Sequence, residues 1–395
     1  MPAVRAENLY KVFGRRAAAA VEALSDGRHR DDIADLGVTA AVIDASFEVE
    51  PGEIFVVMGL SGSGKSTLIR MLNGLLPPTS GTVEIDGTDI TGLKKAELRK
   101  VRSEKVSMVF QHFALFPHRS VADNAAYALE VRGVAREERQ AKALEALELV
   151  GLKGWEDKLP GQLSGGMQQR VGLARALAAD TDIILMDEAF SALDPLIRRD
   201  MQTQLLELQA SLGKTIVFIT HDLNEAMRLG DRICVLRDGR VAQIGTAQEI
   251  LDHPANDYVA TFTEDVDRTR VLTAASVMVP AAPYAAPTDT PHAVLRAMRE
   301  HDRDFCFVLD ADERLLGAVS AADAEAAKKK GADDIAGAVE PVEETTAPSA
   351  VLADLFSAAA RSERPLAVVG TDDRMLGVIP RAALLDGLAM EGSRS

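Results

Sequence analysis

Nine consecutive residues near the start of the chain have the spacing of a loop that binds phosphate. They begin with a glycine, and after four further residues comes a Gly-Lys-Ser triplet. Glycines let several backbone N–H groups point at one anion, the lysine can reach the β- and γ-phosphates, and the serine hydroxyl can ligate Mg²⁺. The segment predicts a nucleoside triphosphate site formed by Gly59, Leu60, Ser61, Gly62, Ser63, Gly64, Lys65, Ser66 and Thr67.

The residues on either side supply the elements that such a loop needs. Residues 53–58 are a mostly apolar run that predicts a buried strand, and residues 65–76 carry apolar side chains at helical spacing, with Leu75 on the apolar face. A helix that begins at the lysine adds positive potential where the phosphates would lie. A glycine-rich turn without a ligand is the alternative. The strand before the loop and the helix after it argue against that alternative.

Two acidic side chains follow a second apolar strand, which is predicted over residues 183–186. Asp187 stands where a carboxylate would hold Mg²⁺ through water, and Glu188 stands where a general base would polarise an attacking water. An adjacent acidic pair can also be a solvated strand end. That alternative weakens because Lys65 and Ser66 supply the phosphate and metal partners that a catalytic pair needs.

Buried strands alternate with helical stretches over residues 1–262. Strands are predicted at 106–110, 183–186 and 215–219, and polar residues follow them, namely Gln111, Asp187 and His221. This order predicts an α/β fold with a parallel-sheet core and a site at the carboxyl ends of its strands.

Composition limits the classes of protein to which the chain can belong. Its 395 residues suggest two or three domains, and its formal net charge of -16 argues against a nucleic-acid-binding protein. Two cysteines, Cys234 and Cys306, cannot make a disulfide framework and indicate a reducing cytoplasm; Cys234 is expected in a core. The apolar runs are far shorter than the ~20 residues of a membrane span, so a membrane function would need a partner.

A second glycine-rich segment lies about a hundred residues after the first. It reads Leu163-Ser164-Gly165-Gly166-Met167-Gln168, and Ser-Gly-Gly at the start of a helix forms an anion-binding turn. Serine is also a favoured helix cap, so the segment could be no more than a capped helix N-terminus. The residues alone leave both interpretations open.

In combination, these motifs resemble those of the ATP-binding-cassette (ABC) family. The resemblance covers residues 4–262 and rests on an ordered set of motifs: the phosphate loop, Gln111, the LSGGQ-type segment 163–168, Asp187-Glu188, Asp194 and His221. It implies a head-to-tail homodimer that holds two ATP molecules. In such a dimer, the phosphate loop of one subunit faces the signature segment 163–168 of the other.

The same resemblance assigns roles to individual residues. Phe13 would stack on adenine, and Gln111 would sense Mg²⁺ and the attacking water, while the segment after Gln111 would contact a membrane subunit. His221 would hydrogen-bond the γ-phosphate, and Asp194 would shape the dimer seam. ATP and Mg²⁺ are the implied cofactors, with Glu188, His221 and Gln111 as catalytic residues and Ser66, Gln111 and Asp187 at the metal.

Several longer segments resemble one branch of the family, the ATPases of glycine betaine/proline importers. They are residues 8–14, an additional stretch at 15–37, residues 109–118, and residues 187–198, where Ala189 replaces the proline of most importer ATPases. The resemblance implies ATP hydrolysis that drives osmoprotectant import through a separate membrane permease, served by a periplasmic or extracellular binding protein. It places the chain at the cytoplasmic face of the cell membrane, bound peripherally through that permease.

The C-terminal part of the chain repeats one small α/β unit. Residues 312–319 parallel residues 372–379, and each copy follows a short apolar strand. The same branch of the family ends in tandem CBS units (named for cystathionine β-synthase), which the repeat resembles. The predicted domains are therefore an ABC domain at 1–265 with a helical subdomain at about 112–165, a linker at 266–272, CBS units at 273–332 and 333–390, and a tail at 391–395.

Two features of the repeat suggest regulation. CBS pairs often grip a ribose with a Gly-x-x-[Ser/Thr]-x-x-Asp turn, which the first unit keeps with Ser320 and Asp323 and the second unit lacks. Asp323 could equally be a helix-start acid that the helix dipole favours. The lysine cluster Lys328–Lys330 is either a solvated helix end or a contact with anionic lipid that responds to ionic strength.

Two alternatives to betaine and proline import stay open. An ATPase subunit does not touch the cargo, so the transporter could carry choline, carnitine or an amino acid instead. A nucleotide-sensing regulator that uses the cassette as a switch is the second alternative, against which the intact Glu188 and His221 argue.

Overall fold

The computed structural model describes residues 1–111, 113–264, 266–362 and 364–385. The chain forms two compact units, Met1–Asp265 and Val266–Ser395. His112 of the predicted importer motif, Asp265, Glu363, the last predicted CBS residues 386–390 and the tail 391–395 lie outside the described residues. Within the described ranges, no helix is both long and apolar enough to span a bilayer.

The first unit combines two sheets with helices that cover them. Its strands are β1 (Val4–Phe13), β2 (Thr39–Val49), β3 (Ile54–Met58), β4 (Ser80–Ile85), β5 (Thr88–Asp89), β6 (Val106–Phe110), β7 (Ile183–Asp187), β8 (Thr215–Thr220), β9 (Arg232–Arg237) and β10 (Arg240–Gly245). Its helices are α1 (Ala17–Ser25), α2 (Lys65–Leu72), α3 (Lys95–Lys105), α4 (Val121–Ala125), α5 (Tyr127–Val131), α6 (Arg136–Leu149), α7 (Gly165–Ala178), α8 (Pro195–Leu212), α9 (Leu223–Leu229), α10 (Ala247–Asp252) and α11 (Asp257–Phe262). Short 3-10 helices lie at Arg30–Leu36 and Pro160–Gln162.

A six-stranded sheet in the order β10-β9-β3-β8-β7-β6 forms the centre of the first unit. Its five strands from β9 to β6 run parallel, and β10 pairs antiparallel with β9 at the edge. Every residue of β3 and β8 is buried, as expected of strands covered on both faces. Phe110 pairs with Asp187, Asp187 with Ile219, and Met58 with Thr220, so the strand ends that precede the predicted site residues are aligned. The predicted α/β fold with a parallel-sheet core is confirmed.

A second, antiparallel sheet in the order β2-β1-β4-β5 completes the first unit. The additional stretch between β1 and β2 folds into α1 and the 3-10 helix Arg30–Leu36. Leu24 and Ile33 from this stretch join Tyr10 of β1 and Ile43 of β2 in one buried cluster. The stretch is therefore a packed part of the unit.

One side chain that the sequence places on an apolar helix face, Leu75, is exposed. Helix α2 ends at Leu72 rather than Leu76, and Leu75 is 44% exposed. The cause is a C-terminal turn in which Gly74 takes a left-handed conformation (φ +61°), and the Leu75 N–H returns to the Arg70 carbonyl at 2.8 Å. On α6, the buried face is formed by Ala143, Ala146 and Leu147, and Leu144 is 44% exposed.

The second unit contains two sheets of identical topology. Its strands are β11 (Tyr284–Ala285), β12 (Phe305–Leu309), β13 (Leu315–Ser320), β14 (Thr345–Thr346), β15 (Leu366–Val369) and β16 (Met375–Ile379). Its helices are α12 (Ala274–Val277), α13 (Pro291–Glu300), α14 (Ala321–Lys329) and α15 (Leu352–Arg361), with 3-10 helices at Arg268–Arg270 and Ala336–Ala338. In each sheet the first strand is parallel to the second, and the second is antiparallel to the third. The predicted internal repeat is confirmed.

In the second unit, a segment of each repeat packs in the hydrophobic core of the other. Ala274, at the start of the first predicted CBS unit, is buried with Leu352 of the second, and Val279 pairs with Val378. In return, Ile335 is buried in the core of the first repeat. Packing therefore crosses the predicted sequence boundary between residues 332 and 333, and the two repeats fold as one unit.

Candidate nucleotide-binding site

Lys65 begins α2, and its side chain is buried against the phosphate loop. The ammonium donates hydrogen bonds to the carbonyl oxygens of Gly59 at 2.7 Å and Leu60 at 3.0 Å. Burial lowers the pKa of Lys65, and the Glu188 and Asp187 carboxylates oppose that shift. The Lys65 ammonium is partly desolvated, and its hydrogen-bond acceptors are neutral carbonyls. An added anion would therefore stabilise it, so the loop is suited to bind phosphate.

Two glycines let the phosphate loop lie close to neighbouring backbone. Gly64 has a φ of +102°, and a Cβ at this position would stand 2.1 Å from the carbonyl oxygen of Ala41. At Gly59, a Cβ would stand 2.3 Å from the carbonyl oxygen of Leu236. A side chain at either position would clash with the backbone of β2 or β9, so the loop requires glycine at both.

Asp187 ends β7 beside the first turn of α2. Its Oδ1 lies 3.4 Å from the Ser66 hydroxyl. Burial raises the pKa of Asp187, whereas the Arg70 guanidinium lowers it. The next residue, Glu188, has a left-handed φ of +45°, and its N–H donates to the Ile219 carbonyl at 3.0 Å. A left-handed conformation is unfavourable for glutamate, and such strained residues concentrate at functional sites.

Two other predicted site residues contact the same oxygen of the Glu188 carboxylate. Its Oε2 lies 3.3 Å from the Gln111 amide nitrogen and 3.1 Å from the His221 Nδ1. The Gln111 amide also donates to the Ser191 hydroxyl at 3.2 Å. Three residues that follow different strands are thereby brought together, and the side chain of Glu188 is held in one orientation. Ser191 lies within the motif at residues 187–198, and the sequence assigned it no role of its own.

An open cavity of about 460 Å³ lies over the phosphate loop. Its lining includes loop residues together with Glu188 and His221, as the sequence predicts. It also includes Arg30 and Thr39–Ala41, which sequence reasoning missed, since no motif marks them and they precede the loop. The full set of lining residues is Arg30, Thr39, Ala40, Ala41, Ser61, Gly62, Gly64, Lys65, Ser66, Thr67, Glu188 and His221.

The signature segment does not line this cavity. Ser164 caps α7, with its hydroxyl accepting the Met167 N–H at 3.3 Å. The Gln168 amide donates to the Leu163 carbonyl at 3.2 Å, which fixes the turn before the helix. The signature segment therefore begins a serine-capped helix and takes no part in the phosphate cavity of its own chain.

Asp194 and the signature segment lie near each other. Asp194 caps α8 by accepting the Ile197 N–H at 3.1 Å. The Ile197 side chain would come within 2.6 Å of a Cβ at Gly166, so the first turns of α7 and α8 are in contact.

Phe13 is placed at the end of β1, outside the lining of the phosphate cavity. Phe13 is 43% exposed, and the Lys11 ammonium lies 5.2 Å from the centroid of its ring. An exposed aromatic face of this kind can stack on a planar base.

The sequence and the fold both match known proteins. Residues 42–191 match the family model of the ABC transporter, and residues 274–328 match that of the CBS domain. The chain is 50% identical over 389 residues to the glycine betaine transport ATP-binding protein OpuAA of Bacillus subtilis, covering 98% of this chain and 92% of that protein. It is 46% identical over 398 residues to the glycine betaine/proline betaine transport system ATP-binding protein ProV of Escherichia coli, covering 98% and 97%. Among solved structures, the dimeric ATP-binding cassette MJ0796 bound to ADP and Pi matches with a TM-score of 0.53 at 34% identity, covering 62% of this chain and 98% of that one.

The chain belongs to the ABC transporter family as an ATP-binding subunit. The match to OpuAA and ProV extends across both units, so the predicted membership and the C-terminal CBS resemblance are confirmed. This ABC ATPase hydrolyses ATP in support of transport.

The second unit of the ABC ATPase has an open cleft of about 560 Å³ of its own. Four arginines line it, Arg299, Arg303, Arg364 and Arg381, together with Asp302 and Asp304. Ser320 and Asp323 do not line this cleft. Instead, Ser320 caps α14 by accepting the Asp323 N–H at 3.1 Å, and its hydroxyl bonds the Asp323 carboxylate.

Proposed function

We propose that this chain powers the import of glycine betaine or a related osmoprotectant, with Glu188 as the general base of ATP hydrolysis. The observation that carries the proposal is the position of the Glu188 carboxylate, which lines the phosphate cavity while Gln111 and His221 hold its Oε2. The cargo is inferred from the names of OpuAA and ProV, which match nearly the whole chain.

Each residue around the cavity has a distinct part in this proposal. Lys65 binds the β- and γ-phosphates, and Glu188 accepts a proton from the attacking water. Gln111 and His221 orient Glu188 and contact the water and the γ-phosphate. Ser66, Gln111 and Asp187 supply oxygen donors of the kind that Mg²⁺ prefers and would hold that ion, whose charge would offset that of the phosphates.

We further infer that a second copy of the chain completes the site. The signature segment and Asp194 do not line their own chain's cavity, although α7 begins at a glycine-rich N-terminus of the kind that favours an anion. In the proposed head-to-tail dimer, residues 163–168 of one copy meet the nucleotide on the loop of the other. Phe13 stacks on its adenine, and Asp194 lies at the seam. The dimeric cassette MJ0796 supports this arrangement.

A groove beside the segment that follows Gln111 supports a membrane permease as partner. The groove has a volume of about 880 Å³, and its lining combines Phe110, Phe116 and the 65% exposed Val131 with basic side chains. Arg175 of α7 donates to the carbonyls of residues 113 and 114, which joins this surface to the helix of the signature segment. We infer that an apolar permease segment docks here and holds the chain at the cytoplasmic face of the membrane, where a separate binding protein delivers cargo to the permease from the other side.

Regulation by the CBS pair is also a proposal. A nucleotide at Ser320 and Asp323 stays a prediction, and so does an anionic lipid at the lysine cluster. The capping contacts of Ser320 support the alternative in which Asp323 serves the start of α14.

The test is transport by the reconstituted complex of this chain and its permease. We expect Glu188→Gln to lower ATP turnover by roughly 10²-fold or more while ATP binding persists and an ATP-bound dimer accumulates. Glu137→Gln, which removes an exposed carboxylate from α6, is the matched control and should leave turnover and glycine betaine uptake unchanged.

The outcomes separate the alternatives. Full turnover in Glu188→Gln would refute the assignment of the base. If ATP turnover drives uptake of choline, carnitine or an amino acid but not of glycine betaine, the cargo is that other compound. Nucleotide binding without hydrolysis in the unchanged protein would favour the regulator.

A further inference from the structure

Arg30 begins the 3-10 helix in the stretch between β1 and β2, and it lines the phosphate cavity. It lies outside residues 42–191, the part of the chain that matches the ABC transporter family model. We propose that Arg30 is a second cationic residue of the nucleotide site and binds the phosphate chain of ATP. The proposal rests on the proposed ATP site and adds a residue to it.

The charges around the cavity explain why a second cation matters. Apart from His221, the charged side chains that line it are Lys65, Glu188 and Arg30. Lys65 and Glu188 carry opposite charges that offset each other, so Arg30 is the further cation among the lining residues that can meet an incoming triphosphate. Oriented cations in a partly enclosed cavity attract anions strongly because the surrounding protein screens them less than water does.

Arg30 is held at this position by folded structure. Three residues after it, Ile33 is 1% exposed and packs with Leu24 and Tyr10 in the cluster that joins the additional stretch to the first sheet. The side chain of Arg30 is 27% exposed, which leaves its guanidinium accessible from the cavity.

Arg30 is paired with Asp238, and this ion pair can open so that Arg30 contacts a nucleotide. Its guanidinium lies 3.2 Å from the Asp238 carboxylate, and Asp238 also pairs with Arg237 at 3.5 Å. Asp238 therefore remains paired with Arg237 when Arg30 contacts another anion. The adjoining Gly239 N–H donates to the Ser63 carbonyl at 3.1 Å, which places this ion pair beside the phosphate loop. A planar guanidinium can then form paired hydrogen bonds with phosphate oxygens.

The experiment compares ATP and adenosine binding to the full-length chain by calorimetry. We expect Arg30→Ala to weaken ATP binding by about tenfold or more, the effect of losing one charge-assisted hydrogen bond, and to leave adenosine binding unchanged. Arg30→Lys should recover part of the affinity. Arg16→Ala is the matched control, because it removes an exposed arginine of the same stretch, and it should bind ATP normally.

Asp238→Asn separates a nucleotide contact from a merely structural ion pair. It breaks the same pair but keeps Arg30, so we expect ATP affinity to be kept or increased. Equal loss of ATP affinity in Asp238→Asn and Arg30→Ala would overturn the proposal, as would normal ATP binding by Arg30→Ala or a parallel loss of adenosine binding. Failure of the unchanged chain to bind ATP would instead refute the proposed site itself.

Discussion

Asp187 ends β7 and Asp180 lies three residues before its start, and their pKa values are shifted in opposite directions. Burial raises the pKa of Asp187 at the carboxyl end of the strand. A hydrogen bond from Lys214 at 3.1 Å lowers the pKa of Asp180, which precedes the strand. The ionised Asp187 therefore costs folding free energy, and that cost grows as pH rises through its folded-state pKa. Asp180 contributes stability above the usual aspartate pKa of about 3.9, and the contribution is lost as pH falls through its lower folded-state pKa.

This difference predicts opposite effects of the same substitution. At neutral pH and without nucleotide, Asp187→Asn should raise the melting temperature, because it removes a desolvated charge, while lowering ATP turnover by roughly tenfold or more. Asp180→Asn should lower the free energy of unfolding by about 0.2–1 kcal/mol, the usual range for an exposed ion pair, and keep ATP turnover. Thermal unfolding between pH 4 and pH 8 measures both. A lower melting temperature for Asp187→Asn at pH 7 would show that its carboxylate stabilises the fold.

Helices α4 and α7 both begin with a serine cap, but only α7 belongs to the signature segment. Ser120 accepts the Asp123 N–H at 3.1 Å, and Ser164 accepts the Met167 N–H at 3.3 Å. The cap alone explains the serine in both helices. What distinguishes α7 is its contact with the start of α8 and its hydrogen bonds, through Arg175, to the segment after Gln111.

Paired serine substitutions discriminate a simple cap from a nucleotide contact. Ser120→Ala and Ser164→Ala should each lower the free energy of unfolding by about 1 kcal/mol through the lost cap. Only Ser164→Ala should also reduce ATP turnover at saturating ATP, by about tenfold, because the proposed dimer uses this serine at the partner's nucleotide. Chemical denaturation and steady-state hydrolysis measure the two effects. Equal turnover in both variants would leave Ser164 as a cap only.

The second unit carries features that the ATPase chemistry does not require. Its two repeats contribute segments to each other's cores, so a change in the packing of one repeat alters the packing of the other. The lysine cluster Lys328–Lys330 at the end of α14 is fully on the surface, where its charge is available to a partner and screened by salt.

The lysine cluster predicts a response of transport to ionic strength. Replacing its three lysines with glutamine should lower the salt concentration at which uptake begins in vesicles of anionic lipid, since each lysine near such a surface contributes about 1 kcal/mol of attraction. Neutral-lipid vesicles should abolish the difference between the two proteins. The same exchanges at Lys95, Lys153 and Lys158 of the first unit serve as the matched control. An unchanged threshold would leave the cluster as a solvated helix end.

Local sequence determined the parts of this protein that depend on neighbouring residues. The spacing of Gly59, Gly64 and Lys65 indicated the phosphate loop, because backbone conformation and side-chain reach are set within a few residues. The apolar runs that became β6, β7 and β8 were predicted nearly to their ends, since burial on both faces of a sheet requires an unbroken apolar sequence. The duplicated segments likewise predicted two sheets of one topology, as observed.

The packing of whole elements determines which distant residues come into contact. Leu75 is exposed because Gly74 turns the chain after α2, an effect that apolar periodicity does not register. Gln111 and His221 meet on one oxygen of Glu188 because the register of β6, β7 and β8 aligns their ends. Arg30 reaches the phosphate cavity only because the stretch around it packs on β1 and β2. Contacts between residues far apart in sequence depend on how whole elements pack, and no local pattern encodes that arrangement.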